Sequence, residues 1–188
     1  MDELVLARHG ESESSARGVV GGDEPLTELG REQARSLGAR LAQVPLGLCL
    51  TSAAVRARET AELALAGREV PVEVVPELGD IRFGAFEGRP LAEYRDWVAA
   101  HAPTEAPPGG ESRVETLSRF AAAFRSILAR PERVVLVVAH GLTIRAVLDD
   151  RPQPVVAGAP YGHSERLTRT SLEQAVRRLE SWCESPAW

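Results

Sequence analysis

Short, unbroken apolar runs alternate along the chain with longer stretches in which apolar residues recur every three or four positions. Leu4-Val5-Leu6-Ala7 is the first run and reads as a buried strand. It ends at Arg8-His9-Gly10, and the chain is then polar and Gly-rich through Asp23. Pro25-Leu26-Thr27 opens a helix with Thr27 as its N-cap. Ala34, Leu37, Leu41 and Val44 follow as one apolar stripe. Residues 46–50 read as the next strand, 56–65 as the next helix, and 70–75 as a third strand ended by Pro76.

Residues 76–112 are looser and punctuated by Gly and Pro, with a helix over 91–100 inside them. Such a stretch inside a compact chain is more often a functional loop system than a linker. Ser112 and Glu115 form a capping box for a helix carrying Val114, Leu117, Phe120, Phe124 and Ile127. Residues 133–139 are the strongest strand and end at His140-Gly141, with a helix over 142–148 behind them. Thr170 and Glu173 predict a second capping box, opening a last helix with Leu172, Ala175, Val176, Leu179 and Trp182 on one face. Strands alternating with helices predict an α/β three-layer sandwich, a mostly parallel central sheet with helices on both faces. One domain over residues 1–188 is expected, with a loop and helix substrate cap around 82–112.

Composition narrows the chemistry. All 22 basic residues are Arg, and the 188-residue chain contains neither Lys nor Asn. That excludes Schiff-base chemistry, a Lys-based phosphate loop and any triad oriented by Asn. A net charge of -5 argues against nucleic acid or an anionic membrane as partner. The apolar run over 134–139 is too short to span a bilayer, and no signal peptide is read at the start. Two distant cysteines, Cys49 and Cys183, suggest a reducing, cytoplasmic setting. The four His and two Cys do not fall at metal-ligand spacing.

Two predicted strands end in His-Gly, at His9-Gly10 and His140-Gly141. Ligands of an open parallel sheet collect beyond the carboxyl ends of its strands, so neighbouring strands would aim both imidazoles into one crevice. Gly after each His is expected to let a bulky ligand approach the backbone, and the following helix offers free N–H groups to an anion. Arg8 and Arg56 supply planar, permanently charged forks suited to a phosphoryl group or carboxylate.

Leu6-Ala7-Arg8-His9-Gly10-Glu11-Ser12 resembles the signature of the histidine phosphatase superfamily, in its phosphoglycerate-mutase-like branch. The likeness continues in order through Pro25–Gly30, Ser52 with Val55–Glu62, Phe83–Gly88, Pro108–Ser112 and Val137–Gly141. It implies phosphoryl transfer through a phosphohistidine, with His9 as nucleophile. Arg8, Arg56 and His140 would surround the phosphoryl oxygens, with the Gly141 N–H as a further donor, and His140 would serve as an imidazolium. The general acid falls at Asp80, in Leu78-Gly79-Asp80, where the family motif has Glu. Asp is shorter by about 1.5 Å, and Glu77 and Glu87 are the nearby substitutes. Ser14-Ser15 stands where many members carry Trp-Asn; Ser15 is a candidate phosphate ligand, and capping of a short helix is the alternative. Glu11 is expected to point away from the anion and pair with an Arg.

The resemblance implies a metal-independent, cofactor-free phosphatase acting on a small phosphorylated metabolite. A phosphoglycerate-type mutase is the alternative, disfavoured by a short cap in which Arg89 and Arg95 are outnumbered by Glu93, Asp96, Glu105 and Glu111. A weakly catalytic phosphate-binding module is the third reading. Arg82, Phe83, Phe86, Arg89, Tyr94 and Trp97 are the candidate substrate walls, with core packing the alternative for Phe83, Phe86 and Trp97; Tyr161 and His163 are candidates for the mouth with a surface role the first expectation, and His101 reads as a surface residue. A homodimer through an exposed face of the last helix is left open.

Overall fold

Both faces of the central strands are covered, which is why their sequences are apolar throughout instead of alternating. The computed structural model describes residues 1–154 and 158–188. Among these, five strands form one sheet: β1 (Glu3–Arg8), β2 (Leu48–Thr51), β3 (Val72–Val74), β4 (Val134–Ala139) and β5 (Ser164–Thr168). Their order is β3-β2-β4-β1-β5, parallel except where β5 pairs with β1.

Alternate residues of the same strand feed different cores. Leu4, Leu6, Val135 and Val137 face α5 (Arg113–Leu128), α6 (Gly141–Leu148) and α7 (Arg169–Glu184), around the fully buried Phe120 and Phe124. Val5, Ala7, Leu136 and Val138 join Leu37, Ala57 and Ala61, from α2 (Glu28–Arg40) and α3 (Val55–Ala64), on the opposite face. Two covered faces make the expected three layers. Two further helices, α1 (Glu13–Ala16) and α4 (Leu91–Ala100), lie in the segments that follow β1 and precede α5. A smaller cluster of Val20, Ile81, Phe83, Phe86, Tyr94 and Val98 packs apart from the other two. Among the described residues no helix is long and apolar enough to cross a membrane.

Capping explains most helix starts. The Thr27 side chain accepts from the Gly30 N–H at 3.0 Å. Ser112 and Glu115 make the reciprocal pair, at 3.1 and 2.7 Å. A cap of this kind contributes about 1 kcal/mol. The start of α7 differs from expectation: Thr168 is the N-cap, accepting from the Ser171 N–H at 3.1 Å. Glu173 therefore does not close a box with Thr170; it pairs with Arg169 at 2.9 Å.

The short β5 was not expected from the sequence. Ser164-Glu165-Arg166-Leu167-Thr168 buries only Leu167, so it carries almost no apolar signal and is held by its edge pairing. Arg166 adds a forked ion pair to Glu3, at 2.6 and 2.7 Å. At the other edge, β3 leaves Val72 and Val74 exposed.

Candidate active site

Because β1 and β4 are adjacent and parallel, with Arg8 opposite Ala139, the residues just beyond them emerge side by side. These are His9 and His140, with ring centroids 5.2 Å apart and side chains shut from solvent. His9 Nδ1 lies 2.6 Å from the Gly10 carbonyl oxygen. A carbonyl only accepts, so Nδ1 carries the proton and Nε2 keeps its lone pair. The Arg56 Nε–H donates to that Nε2 at 3.3 Å. A second nitrogen of the same guanidinium donates to His140 Nδ1 at 3.3 Å, leaving His140 Nε2 to donate to Ser52 Oγ at 2.8 Å. Arg56, itself buried, is anchored by the Gly22 carbonyl at 2.7 Å. One arginine thus bridges two neutral imidazoles.

Burial, reinforced by neighbouring positive charge, holds both histidines well below their ordinary value of 6.5. The standing positive charge is that of Arg56 and Arg8, and a proton on either imidazole would be further opposed by these neighbours. His140 is therefore neutral in the ligand-free protein, and the expected imidazolium belongs to the phosphate-bound state. Burial and the adjoining arginines outweigh the Asp80 carboxylate that lies 3.7 Å from its Nδ1.

Arg8 donates to the Ala159 carbonyl and lies 3.7 Å from the centre of the Tyr161 ring. Its Nε is buried and has no hydrogen-bond partner among the described residues. Tyr161 also approaches the His9 ring, at 5.7 Å, which places it at the site, the alternative to a surface role. His163 is engaged by Glu165 at 2.7 Å. Gly10 acts differently from expectation. A Cβ on Gly10 would meet the Gly30 carbonyl at 2.3 Å, so Gly10 serves the close approach of α2 to the β1 end. A Cβ on Gly141 would stand at ordinary contact, 3.4 Å, from the Arg8 guanidinium. Gly141 is also the first residue of α6, whose opening N–H groups lack intrahelical acceptors.

Asp80 reaches the same centre. Its Oδ2 is 3.7 Å from Arg56 and 3.7 Å from His140 Nδ1, while Oδ1 accepts from the Ile81 N–H at 3.0 Å. The loop that carries it is held by Arg119, which donates to the carbonyls of Glu77, Gly79 and Asp80 at 2.6, 2.9 and 3.1 Å. Arg119 is held in turn by a forked pair to the buried Glu111, at 3.0 and 2.8 Å. Burial pushes the Glu111 carboxyl up, but Arg119 and the Arg82 backbone outweigh it and keep it below its ordinary value. This support was missed, although Glu111 lies inside the matched Pro108–Ser112 block. Glu77 is exposed, and Glu87 accepts from the Phe83 N–H at 3.2 Å.

Ser15 lines the cavity that also holds Arg8, His9, Arg56, Asp80, Gly141 and Tyr161. Ser12 is the actual cap of α1, and its Oγ lies 2.8 Å from Ser15 Oγ. Glu11 accepts from Thr27 Oγ1 at 2.9 Å and is not held by an arginine, which corrects that expectation. An adjoining cavity shares Arg8, Asp80 and Gly141 and extends to Phe83, Tyr94, Arg113 and Arg145. Of the other expected walls, Arg82 borders the outer side of Asp80, Arg89 pairs with Glu93, Phe86 packs on Tyr94, and Trp97 stacks on His101. Among the described residues no cluster of three or more His, Cys, Asp or Glu could hold a metal ion.

Comparison with known proteins agrees with this arrangement. An adenosylcobalamin/alpha-ribazole phosphatase of Salmonella typhimurium is 44% identical over 88 residues, 46% of this chain and 44% of that protein's length. A longer match, 32% over 177 residues, is to the Proteus mirabilis protein named probable phosphoglycerate mutase GpmB; it covers 89% of this chain and 80% of the relative. The solved structure of Bacillus stearothermophilus YhfR superposes with a TM-score of 0.76 at 32% identity, over 87% of this chain and 89% of its own. Residues 4–183 match the family description itself, and by that match the chain belongs to branch 1 of the histidine phosphatase superfamily.

Proposed function

We propose that this chain is a phosphatase that hydrolyses small phosphate monoesters through a phosphohistidine formed on His9. The observation that carries this reading is the Arg56 bridge, which leaves the His9 Nε2 lone pair facing a guanidinium in a buried, cationic pocket. A monoester whose phosphoryl oxygens displace that guanidinium from the imidazoles would present its phosphorus to Nε2. Attack forms the N–P bond as the ester P–O bond breaks, and the leaving oxygen takes a proton from Asp80. The resulting Asp80 carboxylate then removes a proton from water, whose oxygen attacks phosphorus and breaks the N–P bond, releasing phosphate and freeing His9. Arg8, Arg56, the Gly141 N–H and Ser15 would hold the equatorial oxygens, where positioning and charge supply most of the acceleration. The incoming dianion would draw a proton onto His140, reversing the effect of burial.

The segment around 82–112 is proposed as the substrate cap, since Phe83 and Tyr94 face the adjoining cavity. The four arginines lining that cavity favour a phosphoglycerate-type mutase as the second reading; dependence of isomerisation on a bisphosphate would select it. Phosphate release from p-nitrophenyl phosphate without added metal is the direct test. Wild type is expected to turn over many times and His9→Ala to lose turnover; unchanged hydrolysis by His9→Ala would reject the mechanism.

A further inference from the structure

Asp80 is not held in the site by its own side chain. Among the described residues its hydrogen bond is local, from the Ile81 N–H to Oδ1 at 3.0 Å, and Oδ2 stops 3.7 Å from both Arg56 and His140. An aspartate carboxyl is short, with few torsions to adjust, so the backbone decides what it can reach.

That backbone is gripped on both sides of Asp80. Arg119 on α5 donates to the carbonyls of Glu77, Gly79 and Asp80, and its other two donors fork onto the buried Glu111. Every N–H of its guanidinium therefore has an acceptor. Glu111 holds the far side: its N–H donates to the Arg82 carbonyl at 3.0 Å, and its Oε2 accepts from the Arg82 N–H at 3.4 Å.

The loop does not need this grip to stay folded. Leu78 is fully buried in the core around Phe120 and Phe124 and already sets the depth of the loop. One apolar side chain leaves the direction of the neighbouring peptide planes open, whereas directed hydrogen bonds fix it. A buried ion pair adds little stability over apolar packing, so the gain here is geometry. Glu111 directly precedes the Ser112–Glu115 capping box that starts α5, so the helix fixes both members of the pair.

Resting on the phosphatase reading above, we infer that Arg119, buttressed by Glu111, is a positioning residue for proton transfer: it sets the backbone from which Asp80 reaches the leaving oxygen. Arg119 touches no substrate, and no bond is made or broken at it. Proton transfer requires Asp80 to come within about 3 Å of that oxygen. A displacement of about 1 Å at such a group can cost about a hundredfold.

The test is kcat/KM of the full chain on propyl phosphate, whose alkoxide must be protonated to leave, and on p-nitrophenyl phosphate, whose phenolate need not be. Arg119→Met should lower the first by roughly ten- to a hundredfold and the second by much less. Arg119→Lys, which keeps the charge and part of the donation, should fall between Met and wild type. In the Asp80→Asn background Arg119→Met should cost nothing further on propyl phosphate, since the group it positions is already gone. Where Arg119→Met alone does not fold, Arg119→Met with Glu111→Gln removes the buried carboxylate left unpaired and carries the same comparison. Equal losses on both esters, no loss on either, or an undiminished loss in the Asp80→Asn background overturns the positioning role and leaves the phosphatase reading intact. Wild type that hydrolyses neither ester, or hydrolysis that survives His9→Ala, overturns both.

Discussion

The two halves of the cavity are both rich in arginine, yet their arginines are held in opposite ways. On the reaction side, Arg56 is met by His9, His140 and the Gly22 carbonyl, with Asp80 close by. On the outer side, Arg113 is buried with one long hydrogen bond. The first half is held by these contacts before substrate arrives, whereas the second carries a buried guanidinium with no ion pair among the described residues. Preorganised groups of the first kind serve the reacting phosphoryl group common to all substrates.

Substitution at Arg56 should separate the halves most sharply. Arg56→Met removes a charge aimed at the transferring group, and kcat/KM should fall by about a thousandfold or more for every substrate alike. Steady-state kinetics on two esters with unlike alcohol portions would check this; a loss confined to one of them would assign Arg56 to the outer half.

Asp80 lies at the junction, and its expected effect depends on the leaving group. Asp80→Asn should lower kcat for an alkyl phosphate by roughly a hundredfold, the lower end of general acid catalysis, and for p-nitrophenyl phosphate by much less. Equal losses on both esters would count against proton donation by Asp80.

The smallest effect concerns stability. His9 and His140 are held well below 6.5 in the fold, so the unfolded chain binds more protons than the folded one below that pH. Ligand-free stability should therefore be complete above about pH 6.5 and decline as pH falls through the unfolded value of about 6.5. Denaturant melts at pH 7.5 and 5.5 would show the difference, and His140→Gln should reduce it. An unchanged midpoint for wild type would contradict the neutral, buried state of the pair.

The contrast between the halves also explains what the sequence could reveal. The reaction half is written locally: Arg8-His9-Gly10 and His140-Gly141 each follow an unbroken apolar strand, and strand adjacency does the rest. Asp80 was found by its place in an ordered series of blocks, not by any local pattern. The outer half has no such marks. Arg113 follows a capping serine, and Arg145 lies inside a short helix. Only packing brings them to one cavity, and among 22 arginines nothing in the sequence distinguishes a buried, unpaired one. The same limit hid β5, whose single buried leucine is recruited by the edge of β1.

The account depends on a covalent bond between phosphorus and His9. Rapid acid-free quenching during turnover, followed by intact mass measurement and peptide mapping, tests it directly. The expected result is one added phosphoryl group, labile to acid, carried on the peptide containing His9 and absent from His9→Ala. Turnover with no phosphoryl group on His9 under quenching conditions that preserve a phosphohistidine standard, or a phosphoryl group mapped to another residue, would contradict it.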